Sequence, residues 1–178
     1  MTGPGPQAER RGLGFLERFL GLDDPEAHPG GLVYGLIVLG SVLAAESVHS
    51  SGGVRDIMAA LTVLFVYWLA HTYADLMGRR YLQATPLRWK DVTEVARREW
   101  AIMRGATIPV IAMVVAVLLG VSSWRVDEVG MITDVAMLTL FAVVGSLKAN
   151  LSRMALVFQV VLALSFGIFI ALVRAVLA

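Results

Sequence analysis

The chain of 178 residues has no cysteine and little charge. Without cysteine it can form no disulfide, thiolate metal site or cysteine nucleophile. Charged residues make up 16% of the sequence and apolar residues 57%, with a mean hydropathy of +0.73. Soluble domains carry about 25% charged and about 45–50% apolar residues. The composition therefore predicts an integral membrane protein.

The sequence patterns of common enzymes and cofactor sites are also missing. No HExxH, GxSxG, Walker or GxGxxG pattern occurs, so we expect neither an enzyme nor a bound cofactor or metal. A membrane-embedded metalloenzyme is the less favoured alternative. His71 and Asp75 supply only two ligands, and Glu46 is predicted on the order of 15 Å from His71 along the membrane normal. The net charge of +1 predicts no nucleic-acid partner.

Five apolar segments have about the 20 residues needed to cross a ~30 Å hydrocarbon core. They are apolar on all sides rather than along one stripe, which separates membrane spans from amphipathic surface helices. The sequence thus predicts an all-α, polytopic helix bundle. A cytoplasmic N-terminal segment over 1–30, with a weak amphipathic helix and a Pro/Gly linker, precedes a single membrane domain over 31–178. The predicted spans are 31–48, 57–77, 106–123, 129–147 and 154–173.

Basic residues are distributed unevenly between the connectors. With five spans, twelve of the fifteen Lys and Arg residues lie on the side of the N-terminal segment and of the long connector after the second span. Cytoplasmic loops carry an excess of Lys and Arg, so we expect the N-terminus in the cytoplasm and the C-terminus outside. Only two of the fifteen are lysine, which indicates a high-GC bacterial genome and hence a bacterial cytoplasmic membrane.

The long connector predicts an amphipathic helix over about 86–104. Trp89 and Trp100 lie at the edge of its apolar stripe, and Arg97 and Arg98 add positive charge. A basic amphipathic helix with Trp at its edge is typical of a segment that lies on the membrane surface. We favour a membrane anchor with no ligand of its own.

Small residues recur at helical spacing in two spans. Gly31 and Gly35 form a GxxxG motif in the first span, and the fifth span repeats a small residue at every fourth position. Small residues let the backbones of membrane helices approach closely, so we expect these positions to pack against other helices. Five short spans make a thin bundle, which favours a homo-oligomer in the lipid bilayer. The repeated positions of the fifth span are Ala163, Gly167 and Ala171, one turn after Gln159.

Ionisable residues inside the spans give the functional hypothesis. His71 and Asp75 share one face of the second span, Glu46 and Asp134 lie in the outer half of the first and fourth spans, and Gln159 lies on the inner side. An ionised side chain facing lipid costs about 2.5 kcal/mol or more, so such groups face protein or water, or hold a proton. Histidine titrates near neutrality and carboxylates bind cations. The set therefore predicts a channel or transporter for protons or small monovalent cations.

Two alternatives remain open. In the first, the ionisable groups are structural: Asp75 pairs with Arg79 one turn on, Glu46 and Asp134 bridge helix ends, and His71 bonds a neighbour. In the second, the chain is a non-catalytic subunit or scaffold that packs against a larger complex through the fifth span and the amphipathic helix. Substituting His71 and Asp75 would then affect assembly rather than ion flux.

Overall fold

A computed structural model describes residues 29–46, 53–83, 88–149 and 151–177 of the chain. Helices account for 93% of these residues, and no strand occurs among them. The amphipathic helix predicted within residues 1–30 falls almost entirely outside the described residues. The predicted all-α fold class is confirmed.

The described residues form six helices, which we number in chain order. Four stretches are long and apolar enough to cross a membrane: Gly53–Tyr81, Trp89–Leu118, Arg125–Lys148 and Arg153–Leu172. The first helix contributes a shorter apolar stretch, Gly30–Ala45. Apolar helices of this length are those of a multi-pass membrane protein. The helices are α1 Pro29–Glu46, α2 Gly53–Gln83, α3 Trp89–Glu99, α4 Ala101–Leu118, α5 Ser123–Lys148 and α6 Arg153–Leu177.

The end of α4 differs from the limit that hydropathy predicts for the third span. The helix ends at Leu118, five residues before the predicted end, because Gly120 adopts a left-handed conformation with φ +72°. The Gly120 N–H donates to Val117 O and the Val121 N–H donates to Ala116 O, both at 3.0 Å. These two bonds form a Schellman motif that stops the helix. The next helix, α5, accordingly begins at Ser123 rather than at 129.

Helix α1 is the centre of the bundle. Leu36, Leu39 and Leu43 are fully buried, and α1 contacts α2, α4, α5 and α6. Its leucines join one apolar cluster shared with α2 and α4 and a second shared mainly with α5. A central helix surrounded by other helices needs apolar residues on most of its faces, which is why α1 has no polar stripe.

Helices α1 and α4 approach each other at backbone distance. A Cβ atom added to Gly35 would overlap Ile102 O, and one added to Gly105 would overlap Leu32 O. A Cβ at Gly31 would lie 2.9 Å from Ala101 Cβ. Only glycine allows this approach, since any side chain would fill the space that the facing backbone occupies.

Helix α6 packs on α5 through part of its small-residue stripe. A Cβ atom at Gly167 would lie 2.8 Å from Val135 Cγ2, and Ala163 is half-buried. Ala171 is exposed, and Ile170 is buried beside it. The stripe therefore faces α5 only as far as Gly167.

The bundle has one strongly basic end, which we call the basic end. The start of α1 meets the start of α4 there at Gly31, and Trp68 in the second half of α2 contacts α3 and Trp100. The start of α2 meets the start of α5 at the opposite end, where Gly53 lies against Val126. The basic end carries Arg79, Arg80, Arg88, Lys90, Arg97, Arg98, Arg104, Lys148 and Arg153, whereas Arg55 and Arg125 lie at the opposite end.

The contact between α1 and α4 predicts a specific sensitivity to substitution. Gly35→Ala should lower the free energy of unfolding by about 1–3 kcal/mol, because the new methyl group forces the helices apart. The matched control is Gly78→Ala, where an added Cβ has nothing within 4 Å. Removing that glycine should raise the free energy of unfolding by about 0.5–1 kcal/mol. Thermal unfolding of both variants in one detergent is the measurement, and shifts of the same sign would contradict the packing role.

Candidate functional site

A cavity of about 400 Å³ lies at the basic end, where α1, α2 and α3 meet. We call it the basic-end pocket. His71 and Asp75, which the sequence places on one face of α2, both line it, together with groups from the other two helices. The lining residues are Gly30, Gly31 and Tyr34 of α1, His71, Ala74 and Asp75 of α2, and Arg98 and Glu99 of α3.

Helix α3 is held in place by its contacts with α2. The Trp68 Nε1–H donates a hydrogen bond of 3.0 Å to Ala96 O, and the Trp68 ring meets the Trp100 ring edge-on at 5.3 Å between centroids. Val95 is fully buried, and the Arg88 N–H donates to Asp91 Oδ2 at 3.0 Å at the start of the helix. A side chain that accepts from the backbone at a helix start stabilises the first turn. These contacts place the last turn of α3 beside Asp75.

Asp75 and Glu99 share one guanidinium group. Arg98 Nη2 donates to Asp75 Oδ2 and to Glu99 Oε1, each at 3.2 Å, and Arg79 Nε donates to Asp75 Oδ2 at 3.1 Å. The Glu99 side chain is 7% exposed, whereas those of Asp75 and Arg98 are 27% and 35% exposed. Two carboxylates are thus balanced by two guanidinium groups. Asp75 and Arg98 are more exposed than Glu99 and can be reached from outside the bundle.

Sequence reasoning did not identify Glu99 as a site residue. A signal was present, since Val92, Val95 and Glu99 follow one another at spacings of three and four on α3. A carboxylate on the apolar side of an amphipathic helix requires a partner. Arg98 is that partner, so it points into the pocket instead of only contributing to a basic surface.

His71 lies in an aromatic environment. Its ring is edge-on to Tyr34 of α1 and to Tyr67 of α2, with 5.6 Å between centroids in both pairs. The two tyrosine rings are 6.5 Å apart. Edge-on contacts of this kind fix the orientation of a ring. The imidazole is therefore held beside Tyr34 in the wall of the pocket, one helical turn from Asp75.

Asp134 lies elsewhere, in the centre of the bundle between α1, α5 and α6. It is 1% exposed, and its Oδ2 atom is 2.7 Å from the position that a Cβ atom on Gly40 would take. Ile170 of α6 closes the same space. Among the described residues neither carboxyl oxygen has a hydrogen-bond partner. The missing side chain at Gly40 is what makes room for this carboxyl group.

The pocket and Asp134 are separated by helix α1. Tyr34 faces the pocket and Gly40 faces Asp134, and six residues correspond to about 240° of rotation around a helix. His71 and Asp134 therefore contact different sides of α1. Within one chain the helix backbone lies between them.

The remaining predicted pathway residues are also apart from the pocket. Ser146 Oγ lies 2.6 Å from Gln159 Oε1 and 2.7 Å from Ala142 O, so its proton is donated to one of these two oxygens. Gln159 also lines a separate, mainly apolar cavity of about 280 Å³ between α1, α5 and α6. Glu46 is the last residue of α1, and its side chain lies outside the described part of the structure.

The predicted interface residues divide between the surface and the pocket. Trp89 is 85% exposed at the start of α3, Trp100 is 44% exposed and Arg97 is exposed. Arg98 lines the pocket instead. The described residues hold no group of three or more His, Cys, Asp or Glu side chains that could bind a metal ion. The lining of the pocket supplies one imidazole, two carboxylates and one guanidinium group, which between them can donate and accept hydrogen bonds.

The shared guanidinium predicts a non-additive pair of substitutions. Arg98→Met should lower the free energy of unfolding by about 1–3 kcal/mol, because buried Glu99 is left without its charged partner. The double variant Arg98→Met/Glu99→Gln should recover most of that loss, since it removes the unpaired charge. Arg79→Met is the control: Asp75 keeps Arg98, so the loss should stay below about 1 kcal/mol. Equal losses in the single and double variants in thermal unfolding would refute the pairing.

The burial of Asp134 predicts a stabilising substitution. Asp134→Leu should raise the free energy of unfolding by about 1–3 kcal/mol, because a buried carboxyl group without a partner is replaced by an apolar side chain. Glu128→Leu on the exposed face of α5 is the control and should change stability little. Unfolding in detergent compares the two. A destabilised Asp134→Leu protein would show that the carboxyl group has a partner that stabilises the fold.

No protein-family model, no curated protein and no solved structure matches this chain. The geometry of the bundle and its pocket therefore carries the functional argument alone.

Proposed function

We propose that the protein moves protons or small monovalent cations across a membrane, and that the basic-end pocket takes up or releases the ion. The observation that carries the proposal is the meeting of His71, Asp75 and Glu99 in one cavity at the end of an apolar bundle. Intramembrane ionisable groups that face a cavity mark ion and proton pathways in membrane proteins. No enzymatic activity is proposed.

The chemistry of the pocket supports ion exchange. Histidine changes its protonation near neutral pH, and the neighbouring carboxylates can accept a proton or a cation. Arg98 bonds Asp75 and Glu99 at equal distances of 3.2 Å. A cation that binds Asp75 would compete with this guanidinium, which can keep its second carboxylate. Ion binding would thereby shift Arg98 towards Glu99 without leaving it unpaired.

The proposal includes a homo-oligomer. Tyr34 is 48% exposed, and Ala74 beside the pocket is exposed as well, so the α1–α2 face that leads away from His71 is open to the membrane. Lipid cannot solvate an ion there. A second copy of the chain placed on this face would close the route with protein groups.

The proposal also includes the orientation of the chain in the membrane and the position of the other pathway residues. The excess of Arg and Lys at the basic end supports a cytoplasmic position for the pocket. We propose a bacterial cytoplasmic membrane, with the C-terminus outside. Asp134, Gln159 and Glu46 remain proposed polar steps, with Asp134 reached from the other side of α1. Each of these positions can be tested by its own variant.

Ion flux into liposomes that contain the purified protein is the test. A pH gradient should drive proton flux, and K⁺ and Na⁺ gradients are tested separately. His71→Gln and Asp75→Asn should reduce the flux at least about tenfold, as loss of a proton-transfer group does in other sites. Tyr73→Phe is the control, because Tyr73 lies on the same helix, is 64% exposed and does not line the pocket.

The outcomes separate the proposal from its alternatives. Flux in the wild type and in Tyr73→Phe, with loss in folded His71→Gln, supports a pathway through the pocket. Flux equal to that of empty liposomes under every gradient would overturn the proposal. A non-catalytic subunit of a larger complex would then be favoured. Only 11% of the most apolar part of Arg153–Leu172 is buried within the chain, which leaves most of this helix available to a partner.

A further inference from the structure

A further cavity lies away from the basic-end pocket, in a groove between α2 and α4. We call it the α2–α4 groove; its volume is about 190 Å³. Its floor is buried, because Leu64 and Ala106 are each 1% exposed, and its rim at Ile111 is 55% exposed. The groove is therefore open along the outer surface of the bundle, where the bilayer would contact it.

The polar groups of the groove are concentrated at one end. Arg104 lines it and is exposed, next to Trp100, which is 44% exposed. From there to Ile111 the lining is apolar apart from Thr107, whose hydroxyl donates to Met103 O at 3.0 Å. Arg104 and Ile111 are seven residues apart, about 10 Å along a helix. That length fits within the ~15 Å that one leaflet contributes to a ~30 Å hydrocarbon core.

The charged residue that lines this end of the groove is Arg104. Among the described residues that line the groove, none is acidic. Tryptophan rings are enriched at the level of lipid headgroups. A cation and an indole at headgroup level above an apolar channel are complementary to a negatively charged lipid.

We infer that the α2–α4 groove binds one anionic phospholipid, with its phosphate at Arg104 and an acyl chain along Met103, Val110 and Ile111. Basic sites between membrane helices on the cytoplasmic side bind anionic headgroups in this way. The inference is independent of ion movement, because the groove shares no lining residue with the basic-end pocket.

Native mass spectrometry of the protein in detergent tests the site, with phosphatidylglycerol and phosphatidylcholine added at equal concentrations. We expect one phosphatidylglycerol to be retained per chain in preference to phosphatidylcholine. Arg104→Gln should lower its retention about fivefold, the effect of one basic residue at a membrane surface. Arg104→Lys should keep most of it. Thr107→Phe, which fills the groove, should reduce retention of both lipids.

The matched control is Arg80→Gln, an exposed arginine at the same end of the bundle that does not line the groove. It should leave retention unchanged. Equal retention of the two lipids, or equal losses in Arg80→Gln and Arg104→Gln, would overturn the inference by showing only diffuse attraction to the basic end. Should Arg104→Gln fail to fold, Thr107→Phe decides: unchanged phosphatidylglycerol binding in that variant excludes the groove.

Discussion

The close approach of α1 and α4 is the constraint on which the rest of the bundle depends. Lipid is as apolar as leucine, so membrane helices associate through packing and backbone proximity rather than through a hydrophobic driving force. Gly35 and Gly105 let each backbone fill the space of the other's missing side chain. With α4 fixed on one side, the leucines of α1 meet α2 and α5. Because α3 leads directly into α4 through Trp100, the same contact brings the end of α3 to the start of α1 and so forms the basic-end pocket.

The charge balance of the pocket follows from this arrangement. Burying Glu99 would cost several kcal/mol without a partner, and the residue before it provides one. Arg98 also reaches Asp75 on α2, so the ionic network joins two consecutive helices. An arginine suits this position because its planar guanidinium can bond two carboxylates at once. The network of Asp75, Glu99, Arg98 and Arg79 thus holds two negative and two positive side chains, so its formal charges cancel.

The sequence predicts features that depend on local spacing, and it does not predict those that depend on which helices meet. The shared face of His71 and Asp75, the Arg79–Asp75 spacing and the presence of apolar helices all follow from helical periodicity. The end of α4 does not, because hydropathy averages over the glycine whose φ of +72° stops the helix. The pattern within α3 indicates that Glu99 needs a partner, but the sharing of Arg98 between Glu99 and Asp75 depends on how α3 docks against α2. The position of Asp134 on the side of α1 away from the pocket likewise depends on the tertiary arrangement. The sequence of a span indicates how deep a residue lies in the membrane, but not which helix it contacts.

Asp75 and Asp134 show how one residue type can have two different capacities in one bundle. Asp75 is paired with Arg79 and Arg98 and is 27% exposed, so its carboxylate can be reached from outside the bundle. Asp134 is buried next to Gly40 of α1 and Ile170 of α6. An ion could therefore reach it only if α1 or α6 moved. Among the residues of α6 whose burial is described, only Gly167 and Ile170 are buried, whereas half of the residues of α1 whose burial is described are buried. Displacing α6 therefore breaks fewer contacts than displacing α1, so the proposed ion route would reach Asp134 from the α6 side.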